Sequence, residues 1–322
     1  MDATTHHSRH ALIGSAFILL GAIGFSAKSI LIKLAYADSA QIDAITLMTL
    51  RMTLALPFFL AVALWSREPD VQKRRSGDWM ALMLLGLMGY YLASLLDFKG
   101  LEYISAGLER LILFLYPTIV VFLTALLYRR PISRAQRWAL LLSYAGILLV
   151  YGTNPYAESP DIPLGAMLVL GSAVAFAIFM TGSGHFIHRF GSKRFTAYSM
   201  SIACCATIIH FLASRPIDQL AVSNKVLGLA VMLALVSTVM PAFLMSAGIR
   251  RIGADQASII GTLGPVATLV MAYLLLDEAL DLPQIIGSTM VLGGVLLVSL
   301  AKRTARPDIT ETDKGEKDDN PI

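Results

Sequence analysis

Residues 100–117 read GLEYISAGLERLILFLYP, and residues 248–265 read GIRRIGADQASIIGTLGP. The two stretches are one segment written twice, 148 positions apart. Glycine opens each. A short run of small residues follows, Ser105-Ala106-Gly107 in one and Gly253-Ala254 in the other, and proline closes each at Pro117 and Pro265. The match runs on downstream. Gln136 pairs with Gln284, Gly146 with Gly294, and LLV at 148–150 with LLV at 296–298. Upstream, Leu20-Gly21 and Leu170-Gly171 align at an offset of 150, so small insertions separate two otherwise parallel units.

The composition around these units is that of a chain dissolved in lipid. Of 322 residues, 56% are hydrophobic and 15% charged, where soluble proteins carry about 25% charged residues. That excludes a disordered protein, a disulfide scaffold and a typical cytosolic enzyme. The two cysteines, Cys204 and Cys205, are adjacent in an apolar run and form neither a framework nor a metal site. Ten apolar stretches are near the length of about 20 residues that spans a bilayer as a helix. Their limits are 11–34, 42–65, 79–98, 104–128, 134–152, 163–187, 194–213, 226–249, 254–276 and 283–301. The first is too long for a cleaved secretory signal and lacks a small-residue cleavage pattern. The fold expected is an all-α integral membrane protein of ten transmembrane helices. Residues 1–10 form a short N-terminus, 11–152 the first five-helix repeat, 153–162 a linker, 163–301 the second repeat, and 302–322 a charged tail expected to be disordered.

Five helices per unit is an odd number, so the second unit enters the membrane from the opposite side. Such inverted repeats are typical of secondary transporters, because two inverted halves have two nearly equivalent packings, one open to each side. Lysine and arginine set the expected orientation. With the N-terminus inside, nineteen of the 26 lie on the inner side, four on the outer side, and Lys28, Arg51 and Arg110 fall within spans. Both termini are therefore expected in the cytoplasm and the protein in the cell inner (plasma) membrane.

On these residues the chain resembles the drug/metabolite transporter superfamily and, within it, the EamA-like ten-helix transporters. The resemblance rests on the twofold pattern ending at Pro117 and Pro265, and on the polar turns that follow, Tyr128-Arg129-Arg130-Pro131 and Leu276-Asp277-Glu278-Ala279. The family usually places Glu in that turn. Glu278 matches, and Arg130 departs from it. The resemblance covers residues 11–301 and implies export or exchange of small metabolites without ATP hydrolysis. The absence of a G-x-x-x-x-G-K-[ST] phosphate loop agrees with that.

Charged residues inside spans are costly, by about 2.5–3.5 kcal/mol at mid-bilayer, and are functional candidates by default. Lys28 shares a helix face with Gly21 and Gly24, so it points at neighbouring helices or snorkels to the outer interface. Arg51 lies in the second span. Glu109 and Arg110 are adjacent in the fourth, where the second repeat has Ala257 and Ser258. Adjacent helical residues diverge by about 100°, so each needs its own partner. Glu109 with Lys28 or Arg51, and Arg110 with Asp97, would be purely architectural pairs. Asp97, at the end of the third span, is either interfacial or a proton-titrating partner of Glu109. Arg110, Phe114 and Pro117 fall on one face of a continuous helix, with Tyr116 nearby in an aromatic group that includes Tyr90, Tyr91 and Tyr103. Tyr103 and Tyr128 read as interfacial anchors. Pro117 and the Gly264-Pro265 pair mark helix breaks at a central site, since matched interruptions in both halves point to the binding site. His185 and His210 read as packing or interfacial residues, and His6, His7 and His10 lack a second ligand cluster.

The substrate-binding or coupling set is therefore Lys28, Arg51, Asp97, Glu109, Arg110, Phe114 and Tyr116, with Pro117, Gly264 and Pro265 as helix breakers. No catalytic residue, metal or cofactor is expected. The partners expected are a small-molecule substrate, the bilayer and a coupling proton. Nucleic acid is excluded, and a homodimer is left open. Three cations against two carboxylates favour a substrate bearing a carboxylate, such as an amino acid. The rivals are a multidrug or other-metabolite exporter, an integral-membrane enzyme, for which no H-E-x-x-H or acid–His cluster is present, and a channel.

Overall fold

The computed structural model describes residues 3–39, 42–66, 76–129, 131–152 and 161–304. Residues 153–160 of the expected linker and the tail beyond 304 lie outside these. Within a bilayer every backbone N–H and C=O must find an internal partner, and a helix does this within its own segment. No strand occurs among the described residues. The helices assemble into ten passes: α1 (Ala3–Asp38), α2 (Ala44–Trp65), α3 with α4 (Ser76–Gly86, Ala93–Gly100), α5 with α6 (Ala106–Leu113, Tyr116–Tyr128), α7 (Arg134–Gly152), α8 (Ile162–Phe190), α9 (Ser192–Ser214), α10 with the first part of α11 (Asn224–Ala234, Met240–Gly261), the rest of α11 with α12 (Leu263–Leu276), and α13 (Leu282–Thr304). Among the described residues, eight of these passes are long and apolar enough to span a membrane, and Leu282–Leu297 is a shorter apolar helix. Polar side chains start several of them. Asp43 accepts from Thr46 N at the head of α2, Ser105 from Leu108 N at α5 and Ser223 from Val226 N at α10.

The repeat seen in the sequence recurs in the backbone's irregularities. A π-helical segment at Leu87–Leu92 interrupts the third pass, and one at Leu235–Val239 interrupts the eighth, 148 positions later. The fourth and ninth passes, expected as continuous runs, are each two helices. The fourth breaks between Leu113 and Tyr116, the ninth between Gly261 and Leu263. They end on matched left-handed residues, Arg129 (φ 49°) and Asp277 (φ 54°). Gly253 (φ 80°, ψ 162°) is non-helical inside α11 and so separates the eighth pass from the ninth. The prolines explain the breaks without a mid-helix kink. Pro117 and Pro265 sit in the first turns of α6 and α12, where the missing N–H would have no helical partner anyway.

Helix packing obeys the same symmetry. The first pass packs on the eighth and ninth, and its repeat mate, the sixth, packs on the third and fourth. The second packs on the seventh and the fifth on the tenth. Exchanging every pass with its mate maps this set onto itself. Bare glycines permit close crossings. A Cβ on Gly248 would stand 3.0 Å from Gly14 O, and one on Gly165 3.1 Å from Gly100 O, at the two symmetry-related crossings. The passes leave both Ala3 and Thr304 at one end of the bundle, called here the terminal end. The turns after α1, α4, α9 and α12 lie at the other, distal end.

Candidate functional site

Four charged side chains of the first half, Arg51, Asp97, Glu109 and Arg110, are buried, and a fifth, Lys28, is partly buried beside them. Lys28 on α1 reaches Asp97 Oδ2 on α4 at 2.5 Å and Glu109 Oε1 on α5 at 3.6 Å. Asp97 is 1% exposed and Glu109 0%. Lys28 thus points at two carboxylates of neighbouring helices, and Asp97 is buried three residues before the end of α4. One ammonium serves two carboxylates. Asp97 Oδ1 and both Glu109 oxygens have no hydrogen-bond donor among the described residues. Lys28 lies ten residues from Asp38 along α1, roughly 15 Å at 1.5 Å per residue. Asp97 near the end of α4 and Glu109 near the start of α5 set the cluster toward the distal end of the bundle.

The arginines are held differently. Arg51 Nε donates to Thr238 Oγ1 at 2.8 Å, and that hydroxyl donates to Leu233 O at 2.8 Å, inside the irregular stretch of the eighth pass. The Arg51 guanidinium lies over the Phe98 ring at 5.3 Å, and its Nη1 is buried with no partner. Arg110 Nη2 donates to Ser26 Oγ at 3.2 Å, and its Nε is likewise buried and unpaired. Ser26 Oγ lies 2.7 Å from both Ala22 O and Gly264 O, so its single proton serves one of them at a time. Gly264 makes this approach possible. A Cβ there would stand 3.2 Å from Ser26 Oγ and 3.4 Å from Arg110 Nη2. Thr268 Oγ1 lies 3.4 Å from Ser26 O and 3.3 Å from Gly264 O, and closes the ninth pass onto the first.

Two expected arrangements are corrected. Arg110 is not paired with Asp97. It turns to Ser26 and stacks on Phe114 at 5.5 Å, while Lys28 pairs with Asp97 Oδ2. Arg110, Phe114 and Pro117 do not share one helix face, since α5 ends at Leu113 and α6 begins at Tyr116. Tyr116 turns toward the sixth pass, edge-on to Phe176 at 5.0 Å, in an aromatic group that takes in Phe114, Phe179 and Tyr90. Tyr91 bonds His210 Nδ1 at 2.9 Å and joins the third pass to the seventh, apart from the charge cluster. The side chains of Tyr128, His185 and the N-terminal histidines lie outside the described residues.

A cluster of buried charges of this kind suits binding and release of a solute more than bond chemistry. The comparisons agree. The sequence profile of the EamA-like transporter family matches residues 12–152 and again residues 163–300. The chain belongs to the EamA-like transporter family. It is similar to the uncharacterized transporter YcbK of Bacillus subtilis, 35% identical over 294 residues covering 90% of this chain and 92% of that one. It is also similar to the uncharacterized inner membrane transporter YicL of Salmonella typhimurium, 29% identical over 71% of this chain and 76% of that one. A crystal structure at 17% identity superposes with a TM-score of 0.62 over 93% of this chain and 99% of that chain, which shows a shared fold. This EamA-like protein is thus a multi-pass membrane transporter, and its family and relatives bear the names of transporters, not enzymes.

Three groups in the EamA-like site escaped the sequence reading. Ser26 and Thr238 each take an arginine donor, and Glu278 caps α5 through Ala106 N (2.8 Å) and Gly107 N (3.1 Å). Ser26 had one signal, its place beside Lys28 among small residues. Thr238 had none, since Tyr90 stands at its repeat position. Glu278 was visible only as a family-like residue in a turn.

Proposed function

We propose that the protein is a secondary transporter that exports or exchanges small carboxylate-bearing metabolites, such as amino acids, by alternating access. The observation that carries this reading is the unequal pairing of the buried charges. Both carboxylates gather on Lys28, while Arg51 and Arg110 keep buried N–H groups with no acceptor. An unpaired buried donor costs roughly 1–3 kcal/mol, more when charged. A substrate carboxylate entering the cluster offers the acceptors these guanidiniums lack, and the Phe98 and Phe114 rings beneath them fix the approach. The inverted repeat supplies the two packings that alternating access needs. Asp97 and Glu109, sharing one cation, are the groups through which a coupling proton would act. The basic loops at the terminal end support a reading with both termini in the cytoplasm and the chain in the plasma membrane.

The test uses purified protein in liposomes loaded with radiolabelled amino acids, with and without a pH gradient. Saturable efflux, lost in Arg110→Ala while the variant stays folded and monodisperse, is the expected result. Normal efflux by Arg110→Ala would remove Arg110 from the site. A pH-gradient effect abolished by Glu109→Gln assigns the proton to the carboxylate pair. Counting molecules moved per protein per second separates a carrier from a channel. No movement of any amino acid directs the search to other metabolites and drugs.

A further inference from the structure

α5 is only eight residues long, and it carries Glu109 in its first turn and Arg110 in its last. Its first three N–H groups have no helical acceptor. Leu108 N is met by Ser105 Oγ within the first half. Ala106 N and Gly107 N are met by the two oxygens of Glu278, which belongs to the turn between the ninth and tenth passes in the second half. A carboxylate at a helix N-terminus is favoured both by these charge-assisted bonds and by the helix dipole. Gly107 leaves space for it. A Cβ there would stand 2.6 Å from Gln284 Nε2 and 3.3 Å from Glu278 Oε2. Lys33, which donates to Leu101 O at 3.2 Å, lies within Coulombic reach of Glu278 on the same distal side.

The opposite end cannot repeat this device with its matching residue. The position 148 residues before Glu278 is Arg130, and a guanidinium has no acceptor to offer a helix N-terminus. The two ends of an otherwise symmetric bundle are therefore unequal. We propose that Glu278 is the clasp of the distal gate. It docks the second half onto the start of α5, positions Glu109 and Arg110, and must let go of Ala106 and Gly107 for the distal end to open. This rests on the alternating-access reading, and it assigns Glu278 a role in one state of the cycle and not the other.

The experiment follows a buried thiol, so it needs no knowledge of the substrate. Ala106 is fully buried against Ile30 and Ala272 at the distal end, and Ala197 is buried near the terminal end of α9. In protein with Cys204→Ala and Cys205→Ser, a single cysteine is placed by Ala106→Cys or by Ala197→Cys. Its reaction with a charged, water-soluble maleimide is timed in lipid nanodiscs. Adding Glu278→Ala is expected to speed labelling at 106 by about tenfold, as a shift of the gate equilibrium would. Labelling at 197 should stay within about twofold of its starting rate, as for a site the shift does not expose. Glu278→Gln, whose amide oxygen can serve only one of the two N–H groups, should give an intermediate rate. If Glu278→Ala is not recovered as a monodisperse protein, Glu278→Gln with the same pair of reporters decides. An unchanged rate at 106 overturns the clasp. So does an equal rise at 106 and 197, which would show general loosening. Failure of the carrier reading shows itself separately, as absent substrate movement in liposomes whatever residue stands at 278.

Discussion

Lys28 holds two carboxylates with one ammonium, and the consequences are local and steep. Removing the cation takes from Asp97 and Glu109 the one ammonium within ion-pair distance of both among the described residues, and breaking a buried pair in this way costs about 3–5 kcal/mol. Lys28→Met should therefore lower the thermal unfolding temperature markedly in detergent. Combining it with Asp97→Asn should restore most of the loss, since the double change removes the repulsion along with the cation. Equal melting of the single and double variants would show that the ion pair is energetically idle. At this scale the sequence was half legible. Charge inside apolar spans announced Lys28, Arg51, Glu109 and Arg110, because such placement is expensive. Partner choice was not legible, since it depends on which helices meet. Lys28 took Asp97 first, at 2.5 Å, and Arg110 was left to a serine hydroxyl on the first pass.

Among the elements, the passes were readable from hydropathy and the broken ones from proline. The repeat of Pro117 at Pro265 located both breaks to within a few residues. The π-helical segments were not readable, because Leu87–Leu92 and Leu235–Val239 hold no proline to mark an interruption and the extra residue per turn answers to packing. Glycine carries the helix contacts. α7 and α13 cross where a Cβ on Gly287 would stand 2.5 Å from Gly146 O, in contact with Val150 as well. Backbone cannot yield as a flexible side chain does, so Gly287→Ala should destabilise by roughly 1–3 kcal/mol. Gly228, mid-way along α10, has nothing within 4 Å of its would-be Cβ. Gly228→Ala should be neutral or stabilising by up to about 1 kcal/mol, since alanine is the better helix former. Thermal unfolding of the two variants side by side checks the contrast, and similar losses in both would mean that the crossing is not tight.

For the molecule as a whole, polar contacts tie the halves at the distal end and make its stability depend on pH. Asp43, just before α2, pairs with Arg215 at the end of α9 at 2.7 Å, and Asp38 pairs with Lys225 at 2.7 Å. Glu102, in the turn after α4, accepts from Ala44 N at 2.9 Å. Burial pushes the Asp43 carboxyl up, but the hydrogen bonds from Thr46 and Arg215 and the arginine's charge outweigh it and hold the group below its ordinary 3.8. Burial pushes Glu102 above its ordinary 4.5, aided by the Asp43 charge and only partly offset by the Ala44 N–H. The two linkages have opposite signs. Asp43 contributes stability that is present above 3.8 and is lost as the pH falls through its depressed folded value. Glu102 contributes stability that is present below 4.5 and is lost as the pH rises through its raised folded value. Relative to the wild type, Asp43→Asn should melt lower above pH 3.8, and the gap should close as the pH drops below it. Glu102→Gln should melt closest to the wild type in acid and gain on it as the pH rises past 4.5. Asp43 and Arg215 are 31% and 35% exposed, so solvent screening limits the first effect to under about 1 kcal/mol. Melting curves in detergent across this range would show it as a small change of slope. A gap between Asp43→Asn and wild type that stays constant down to strong acid would mean that the aspartate acts only as the cap of α2 and that Arg215 adds no charge-dependent tie between the halves.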